Sequence, residues 1–354
     1  MRGVLGIACV SLTLVLTATA QVPAVEEGRV ALRDLVPPGD PLAAQDLGID
    51  ASSACLALES LRTHDSAVAI HLAESPAITH ILHHARNFDY DVPKESRAAL
   101  VSSLLAPRDR EAERSATCRQ SLTYLGETML ADPRWVGDAL RYLPAGFRFH
   151  GTLFLTFGYD IGVALAPNAS LNCTHPHFDG HPRELLYYAI HELHHVGFMT
   201  FQTPPRLADI TSCSDLLRLV EYSTQMEGMA VLAAYQRRRD DHALADDNDY
   251  VALEDAKRME ADLASYLEDY AYLKGRGAQP ADSRAWQVID RMASGERLWY
   301  RVGASMAQRI EASTGRDALV ALVKRGPAEF IRTYASLSSS PPHCEERPTR
   351  APTK

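Results

Sequence analysis

The 354-residue sequence has few cysteines, fewer basic than acidic residues and no internal repeat. Its six cysteines include no Cys-x-x-Cys pair, which argues against a cysteine metal site. Lysine and arginine number 36 against 45 aspartate and glutamate, and the formal charge of −9 disfavours binding to nucleic acid or anionic lipid. With 46% hydrophobic and 23% charged residues, the composition is that of a globular protein, which excludes collagen-like, disordered and polytopic membrane classes.

The first twenty residues differ from the rest of the chain. Arg2 precedes an apolar segment over Gly3–Leu16, and Ala18-Thr19-Ala20 has the small-x-small pattern of a signal-peptidase site. This pattern predicts a cleaved export signal over residues 1–20 and a secreted or periplasmic protein. An uncleaved anchor is the alternative, but the apolar segment is shorter than the ~20 residues that span a bilayer. After cleavage we expect no stable membrane insertion.

Cleavage would remove Cys9 and leave an odd number of cysteines in an oxidising compartment, where disulfides are expected. We predict the pairs Cys173–Cys213 and Cys55–Cys118, with Cys344 free. Other pairings of the same five residues remain open, because connectivity does not follow from sequence.

Hydrophobic periodicity divides the remaining chain. Residues 21–48, rich in proline, glycine and isolated charges, are predicted to form an extended leader, and residues 49–145 a helical region. Aromatic and β-branched residues between Phe147 and Leu171 predict two strands or a hairpin. Residues 336–354 are of low complexity and are predicted to be disordered. After the strands, helices are predicted over about 182–198, 214–239, 250–274, 283–314 with a break near Gly295, and two short ones to Tyr334.

The segment His191-Glu192-Leu193-His194-His195 fits the pattern His-Glu-x-x-His. Residues four apart lie on the same face of a helix, so the imidazoles of His191 and His195 are predicted to hold one metal ion. Glu192 lies beside that face and shares its stripe with apolar residues, as expected for a buried general base that takes a proton from metal-activated water. A surface histidine cluster is the alternative. His175, His177, Asp179 and His181 precede this helix and are read as loop or cleft residues, or alternatively as a second metal site.

A catalytic zinc site needs a third protein ligand and an open fourth position. The histidine of the metzincin pattern is absent, because Phe198 and Phe201 stand at the relevant positions. Glu221 and Glu227 are the candidates on the next predicted helix. The neighbours of Glu227 on its helix face are small or apolar, whereas those of Glu221 are mostly polar. We predict that Glu227 is the third ligand, because a buried carboxylate must be protonated, paired or metal-bound; a buried hydrogen-bonded acid is the alternative.

These motifs resemble those of gluzincin-type zinc metallopeptidases, and among them poorly characterised bacterial zinc-dependent peptidases. The likeness rests on His191-Glu-x-x-His195, on Glu227-Gly-x-Ala and on the later segment Tyr300-Arg-Val-Gly303. It implies an α+β, mostly helical fold with a zincin-like (gluzincin) core and a small sheet beside the His-Glu-x-x-His helix, within a catalytic region over 146–335. It also implies a bound Zn²⁺ and a strand, here matching Gly162-Val163-Ala164, that aligns an extended peptide.

The same resemblance suggests Tyr300 as the donor that stabilises the oxyanion, with Arg301 and Tyr222 as rivals. In one respect the sequence departs from the thermolysin branch. That branch has an aspartate four residues after the ligand glutamate, and this chain has Val231.

The resulting expectation is an exported zinc metallopeptidase in which Glu192 is general base and then general acid toward a peptide or protein substrate. Two alternatives stay open. One is a zinc hydrolase of a non-peptide substrate, since the same metal chemistry serves several bonds. The other is a catalytically inactive metal-binding protein.

Overall fold

The computed structural model describes residues 28–106 and 108–339. In this part the protein is mostly helical with one small sheet, which confirms the predicted α+β, mostly helical class. The predicted export signal over residues 1–20 lies outside the described residues, as does the predicted tail beyond residue 339. Residues 336–339 still belong to the last helix.

Five strands form a single sheet in the order β1-β2-β3-β5-β4. Their bounds are β1 Arg29–Ala31, β2 Asp46–Asp50, β3 His150–Thr156, β4 Gly162–Leu165 and β5 Asn168–Asn172. The central pairs β2–β3 and β3–β5 are parallel, and the outer pairs β1–β2 and β4–β5 are antiparallel. The prediction of two strands or a hairpin between Phe147 and Leu171 is corrected, because this segment contributes to three strands and β5, which pairs in parallel with β3, lies between β3 and β4. Within the described residues β4 has only β5 as a neighbour. Strand β4 is therefore an edge of the sheet.

Strand β1 and most of β2 lie within residues 21–48, which are predicted from sequence to form an extended leader. Leu47 and Ile49 are buried in β2, and β2 pairs along its length with residues 150–154 of β3. The backbone of β2 forms hydrogen bonds with β3, about a hundred residues later in the chain, instead of with water. No local periodicity marks such a segment, because three to five residues are too few to show one.

The helices lie before and after the block of strands β3 to β5. The helices before this block are α1 Ser52–Thr63, α2 Ser66–Glu74, α3 Pro76–Asn87, α4 Arg97–Leu105, α5 Glu111–Tyr124 and α6 Val136–Leu140. The helices after it are α7 Glu184–Phe201, α8 Cys213–Asp240, α9 Asn248–Glu254, α10 Ala256–Arg276, α11 Ser283–Asp290, α12 Leu298–Thr314, α13 Arg316–Arg325 and α14 Pro327–Ser339.

The helices begin and end at capping residues that can be recognised in the sequence. A reciprocal capping box between Ser212 and Asp215 begins α8, and Gly315, at φ 85°, ends α12. The predicted break near Gly295 is confirmed as a π-helical turn over Arg291–Gly295 between α11 and α12. The single helix predicted over 250–274 is instead two, because Asp255 adopts an extended conformation and caps α10.

The sheet and helix α7 form the layer that positions the candidate site. Helix α7 packs against β4 and β5 on one side and against α8 on the other. Helices α1 and α3 contact the sheet, so one continuous apolar core joins the N-terminal helices to the rest of the described chain. Because α7 is enclosed on most sides, Glu184, Glu192, His194 and His195 are buried, and each of them needs a partner or a ligand.

A buried ion pair fixes the N-terminal end of α7 to the C-terminal end of α8. Arg238 Nη1 lies 2.7 Å from Glu184 Oε1, and both side chains are only 2% exposed. The guanidinium is also sandwiched between the rings of Tyr187 and Tyr250, at 4.2 and 4.4 Å from their centroids. This arrangement sets the register between the two helices that carry the histidines and Glu227.

The predicted disulfides are wrong. Cys118 of α5 is bonded to Cys173, which directly follows β5, while Cys55 and Cys213 carry free thiols. The reason is the tertiary packing of α5 across the end of β5, where the Cα atoms of the bonded pair are 4.5 Å apart. Cys213 is instead buried at the start of α8. Cys344 lies outside the described residues.

In residues 28–106 and 108–339, none of the helices combines the length and apolar character needed to cross a bilayer.

Candidate metal centre

Two imidazoles project from the same face of α7, one turn apart. The ring centroids of His191 and His195 are 4.4 Å apart and their planes are nearly perpendicular. Both Nε2 atoms point toward α8. The helical spacing of the sequence therefore brings the two rings together.

The third member of the group comes from α8. Glu227 Oε2 lies 3.1 Å from His191 Nε2 and 3.0 Å from His195 Nε2. The three candidate ligand atoms all lie within 4.8 Å of one another. The rival acid, Glu221, is elsewhere, because its Oε1 accepts a hydrogen bond of 2.6 Å from the Tyr270 hydroxyl.

Helix α8 can bring Glu227 close to the two imidazoles because it packs very closely against α12 where the two helices cross. A Cβ added to Gly228 would lie 2.2 Å from the carbonyl carbon of Gly303, and one added to Gly303 would lie 2.2 Å from the Thr224 oxygen. Only glycine permits two helix backbones to approach in this way. Gly228 follows Glu227 directly, so the crossing fixes the position of the carboxylate.

The electrostatics of the three groups suit a cation. Burial opposes ionisation of Glu227, but the imidazoles of His195 and His191 outweigh it and hold the pKa of this carboxyl well below its ordinary value. Burial and the neighbouring His195 lower the pKa of His191, which favours the neutral imidazole. A carboxylate and two imidazoles converging on one point are the donor set that zinc takes in catalytic sites with one open position. The residues present therefore fit a zinc ion.

Comparison with known families agrees with this chemistry. Residues 112–339, more than half of the chain, match the family DUF5700, described as "Putative zinc dependent peptidase". The chain belongs to this family. Zinc is accordingly the cofactor of this family of peptidases. No curated protein and no solved structure matches the chain. The match begins within α5, so it includes all residues of the centre.

Glu192 lies next to the three converging groups in this DUF5700 protein and takes no part in their contacts. Its side chain is buried, and in the part of the chain that the structure describes it makes no hydrogen bond. Burial, with smaller contributions from Glu227 and Asp160, raises the pKa of Glu192 to about 8, although His195 acts in the opposite direction. A carboxyl group with such a pKa is suited to exchange protons near neutral pH.

Gly162 of β4 supports the Glu192 side chain from the sheet. A Cβ at this position would lie 2.7 Å from Glu192 Oε1 and 2.9 Å from its Cγ. The edge strand and Glu192 can therefore be in direct contact only because residue 162 has no side chain. The glycine is a positioning residue for Glu192.

Gly162→Ala is expected to lower hydrolytic activity about 10- to 100-fold, because the new methyl group displaces the flexible end of Glu192 by a few tenths of an ångström or more. Zinc content and thermal stability should change little, since the clash is with a side chain and not with the backbone. Steady-state kinetics with zinc analysis of the same sample measures both. Gly275→Ala on α10 is the matched control, because an added Cβ there meets no atom within 4 Å. Wild-type activity of Gly162→Ala would contradict this role.

The centre opens into a cleft of about 650 Å³. The cleft is lined by residues of α7, α8 and the edge strand β4, of the N-terminal helical region and the loop after β3, and of α11, α12 and the turn between them. The lining residues outside α7, α8 and β4 include His84, Phe88, Tyr90, Asp160, Trp286, Ile289, Arg297 and Tyr300.

The three donors considered for the oxyanion differ in position. The Tyr300 ring lies nearly parallel to the His191 ring, with centroids 6.4 Å apart, and lines the cleft. Tyr222 also lines the cleft, and its buried hydroxyl has no hydrogen-bond partner among the described residues. Arg301 is not among the described residues that line the cleft, and its buried Nε donates a hydrogen bond of 2.7 Å to Asp249 Oδ1.

The sequence does not identify a further hydrogen-bond partner for the two imidazoles of the candidate centre. His195 Nδ1 is buried and makes no hydrogen bond within residues 28–106 and 108–339. Val231, at the position where the thermolysin branch has aspartate, lines the cleft. The ring orientation of His195 therefore depends on packing rather than on a second hydrogen bond.

Of the four polar residues before α7, His177 alone joins a cluster of potential ligands. Its Nε2 lies 2.9 Å from Glu184 Oε2 and 4.0 Å from Asp247 Oδ2. Arg238 already contacts both carboxylates, so a divalent cation there would face a buried positive charge. We interpret the group as an ion-pair network.

Sequence reasoning missed several residues that line the cleft. Tyr188 precedes His191 by three positions, so the helical spacing already placed both on one face of α7. Arg297, Asp160 and Tyr90 reach the cleft from other elements, and no motif marks them. Their positions depend on tertiary packing alone.

Proposed function

We propose that the protein is an exported zinc metallopeptidase in which His191, His195 and Glu227 hold one Zn²⁺. The observation that supports this most directly is the convergence of three ligand atoms within 4.8 Å, with the buried carboxyl of Glu192 beside them in a cleft. Zinc bound there would polarise the carbonyl of the scissile bond and lower the pKa of water toward ~7.

Glu192 is proposed as the general base and then the general acid. Its carboxylate accepts a proton from the attacking water, and the resulting acid donates it to the amine that leaves. The raised pKa of Glu192 supports both steps, because a group that titrates near neutral pH is neither too weak a base nor too weak an acid.

The edge position of β4 supports a peptide as the substrate. Gly162, Val163 and Ala164 line the cleft on a strand that pairs only with β5 within residues 28–106 and 108–339. An extended peptide can add to such an edge through main-chain hydrogen bonds, which do not depend on its side chains. We propose that this strand aligns the substrate across the centre.

Tyr300 is proposed to donate a hydrogen bond to the oxyanion. Burial and the negative charge of Glu227 raise the pKa of its hydroxyl above the ordinary value, so that the group stays protonated as a donor. Tyr222, with a buried and unpartnered hydroxyl on the same cleft, is the rival donor. Comparing kcat for Tyr300→Phe and Tyr222→Phe distinguishes the two.

We further propose that α7, α8 and the adjacent sheet form a zincin-like core of the gluzincin type, with residues 146–335 as the catalytic region. Export through a signal over residues 1–20 is supported by the disulfide between Cys118 and Cys173, since such bonds persist in oxidising compartments.

The proposal is tested by digesting a peptide library with the purified protein and detecting products by mass spectrometry. We expect cleavage that stops after zinc is removed with a chelator and returns when one equivalent of zinc is added. Turnover of a non-peptide substrate alone would favour another zinc hydrolase. More than one bound metal without turnover of any substrate would favour a metal-binding protein.

A further inference from the structure

Arg297 is fixed at the edge of the cleft by the start of α12. It precedes the helix with a left-handed backbone, φ 53°, which is unfavourable for a residue with a side chain. Its Nε donates a hydrogen bond of 2.8 Å to Asp249 Oδ2. The other oxygen of Asp249 accepts a hydrogen bond from Arg301, so the acid that holds Arg297 is itself fixed. A strained residue that the surrounding structure holds in place is typical of functional positions.

The guanidinium of Arg297 lies close to the proposed zinc centre. Its Cζ is 3.8 Å from the centroid of the Tyr300 ring, and the Tyr300 ring is 6.4 Å from that of His191. The sum of these two distances places the Cζ of Arg297 within about 10 Å of the centroid of the His191 ring. An extended peptide covers this distance with about three residues.

Most of the hydrogen-bonding capacity of Arg297 is unused within the described part of the protein. A guanidinium has five N–H groups, and among the described residues only Nε of Arg297 makes a hydrogen bond. Its side chain is 39% exposed and lines the cleft. The four N–H groups of its two terminal nitrogens are therefore available to a ligand.

Asp249 and Asp247, two acids that line the same cleft as Arg297, are matched by positive charges. Asp249 is shared by Arg297 and Arg301, and Arg301 Nη1 also lies 3.6 Å from Asp262 Oδ2. Asp247, which lines the same cleft, lies 3.6 Å from Arg238 Nη2. A substrate carboxylate at Arg297 would therefore meet a guanidinium whose neighbouring acid, Asp249, is also bound by Arg301.

We propose that Arg297 binds a carboxylate of the substrate, located within about three residues of the bond that is cleaved. The inference rests on the proposed peptidase function and names the substrate class. Planar guanidinium and carboxylate groups form two parallel hydrogen bonds, which fix the orientation of the ligand. The carboxylate can be the C terminus of a short peptide, which gives cleavage near that end, or an acidic side chain in a longer one.

Three peptides that share one sequence except at the last residue test the inference: one with a neutral last residue and a free C-terminal carboxylate, one with the same residue as a C-terminal amide, and one amidated peptide with glutamate as its last residue. We expect the wild type to show kcat/KM at least 10-fold higher for a carboxylate-bearing peptide than for the neutral amide. In Arg297→Gln this ratio should fall to about 2-fold or less, mainly through KM. Arg297→Lys should retain part of it, and Arg309→Gln, exposed on α12, all of it.

Preference between the two carboxylate-bearing peptides identifies the source of the carboxylate. Equal kcat/KM for all three peptides in the wild type overturns the inference without need of any variant, and leaves the peptidase proposal intact.

Binding measured by calorimetry to Glu192→Gln separates the inference from the proposed function. If Glu192→Gln prefers the carboxylate-bearing peptides and Glu192→Gln/Arg297→Gln does not, Arg297 is supported as the binding group. This holds even if the wild type cleaves none of the peptides. Such a lack of cleavage would refute the peptidase proposal alone. Equal binding of acid and amide by Glu192→Gln overturns the inference.

Discussion

Glu192→Gln is expected to retain zinc and to lower kcat about 10²- to 10⁴-fold, because an amide of nearly the same shape cannot accept a proton from water. The three candidate ligands do not include Glu192, so the metal content should equal that of the wild type. Steady-state kinetics and elemental analysis of one preparation measure both quantities.

Glu329→Gln is the control for this experiment, because Glu329 contacts Arg332 on the surface of α14. It should leave kcat and zinc content unchanged. Undiminished kcat in Glu192→Gln would contradict the general-base role, whereas loss of zinc would mean that Glu192 helps to hold the metal.

Gly228→Ala is expected to lower the free energy of unfolding by about 1–3 kcal/mol or more, since its methyl group would lie 2.2 Å from the Gly303 carbonyl carbon. The clash is with backbone, so no side-chain rotation relieves it and α8 must move away from α12. Because Glu227 is the preceding residue, zinc affinity should fall as well. Urea unfolding of the zinc-free protein and competitive zinc titration measure the two effects.

Gly137→Ala provides the comparison, because residue 137 is also helical and an added Cβ there meets no atom within 4 Å. Its stability should equal or slightly exceed that of the wild type. A Gly228→Ala protein as stable as Gly137→Ala would show that the two helices do not depend on glycine for their approach.

The part of the site that follows helical periodicity could be predicted from sequence. His191 and His195 are four residues apart, and the contrast between the neighbours of Glu227 and Glu221 already indicated which acid points inward. In the structure Glu227 lies beside both imidazoles, and Glu221 is bonded to Tyr270. Both inferences needed only the geometry of one helix.

Features that depend on contacts between distant segments could not be predicted. Strand β2 is recognisable only through its pairing with β3, and Cys118 meets Cys173 only because α5 crosses the end of β5. The approach of Gly162 to Glu192 likewise requires the strand order, which places β4 at the edge beside α7. The spacing of residues along the sequence does not determine the distances between these segments in the fold.

The most direct test of the account is the zinc content of the wild type beside Glu227→Ala, measured by elemental analysis after dialysis against a weak chelator. Glu221→Ala on the same helix is the control. We predict about one zinc per chain in the wild type and in Glu221→Ala, and little or none in Glu227→Ala, which keeps only two of the three proposed protein ligands. Full zinc retention by Glu227→Ala, or no zinc in the wild type, would contradict the account.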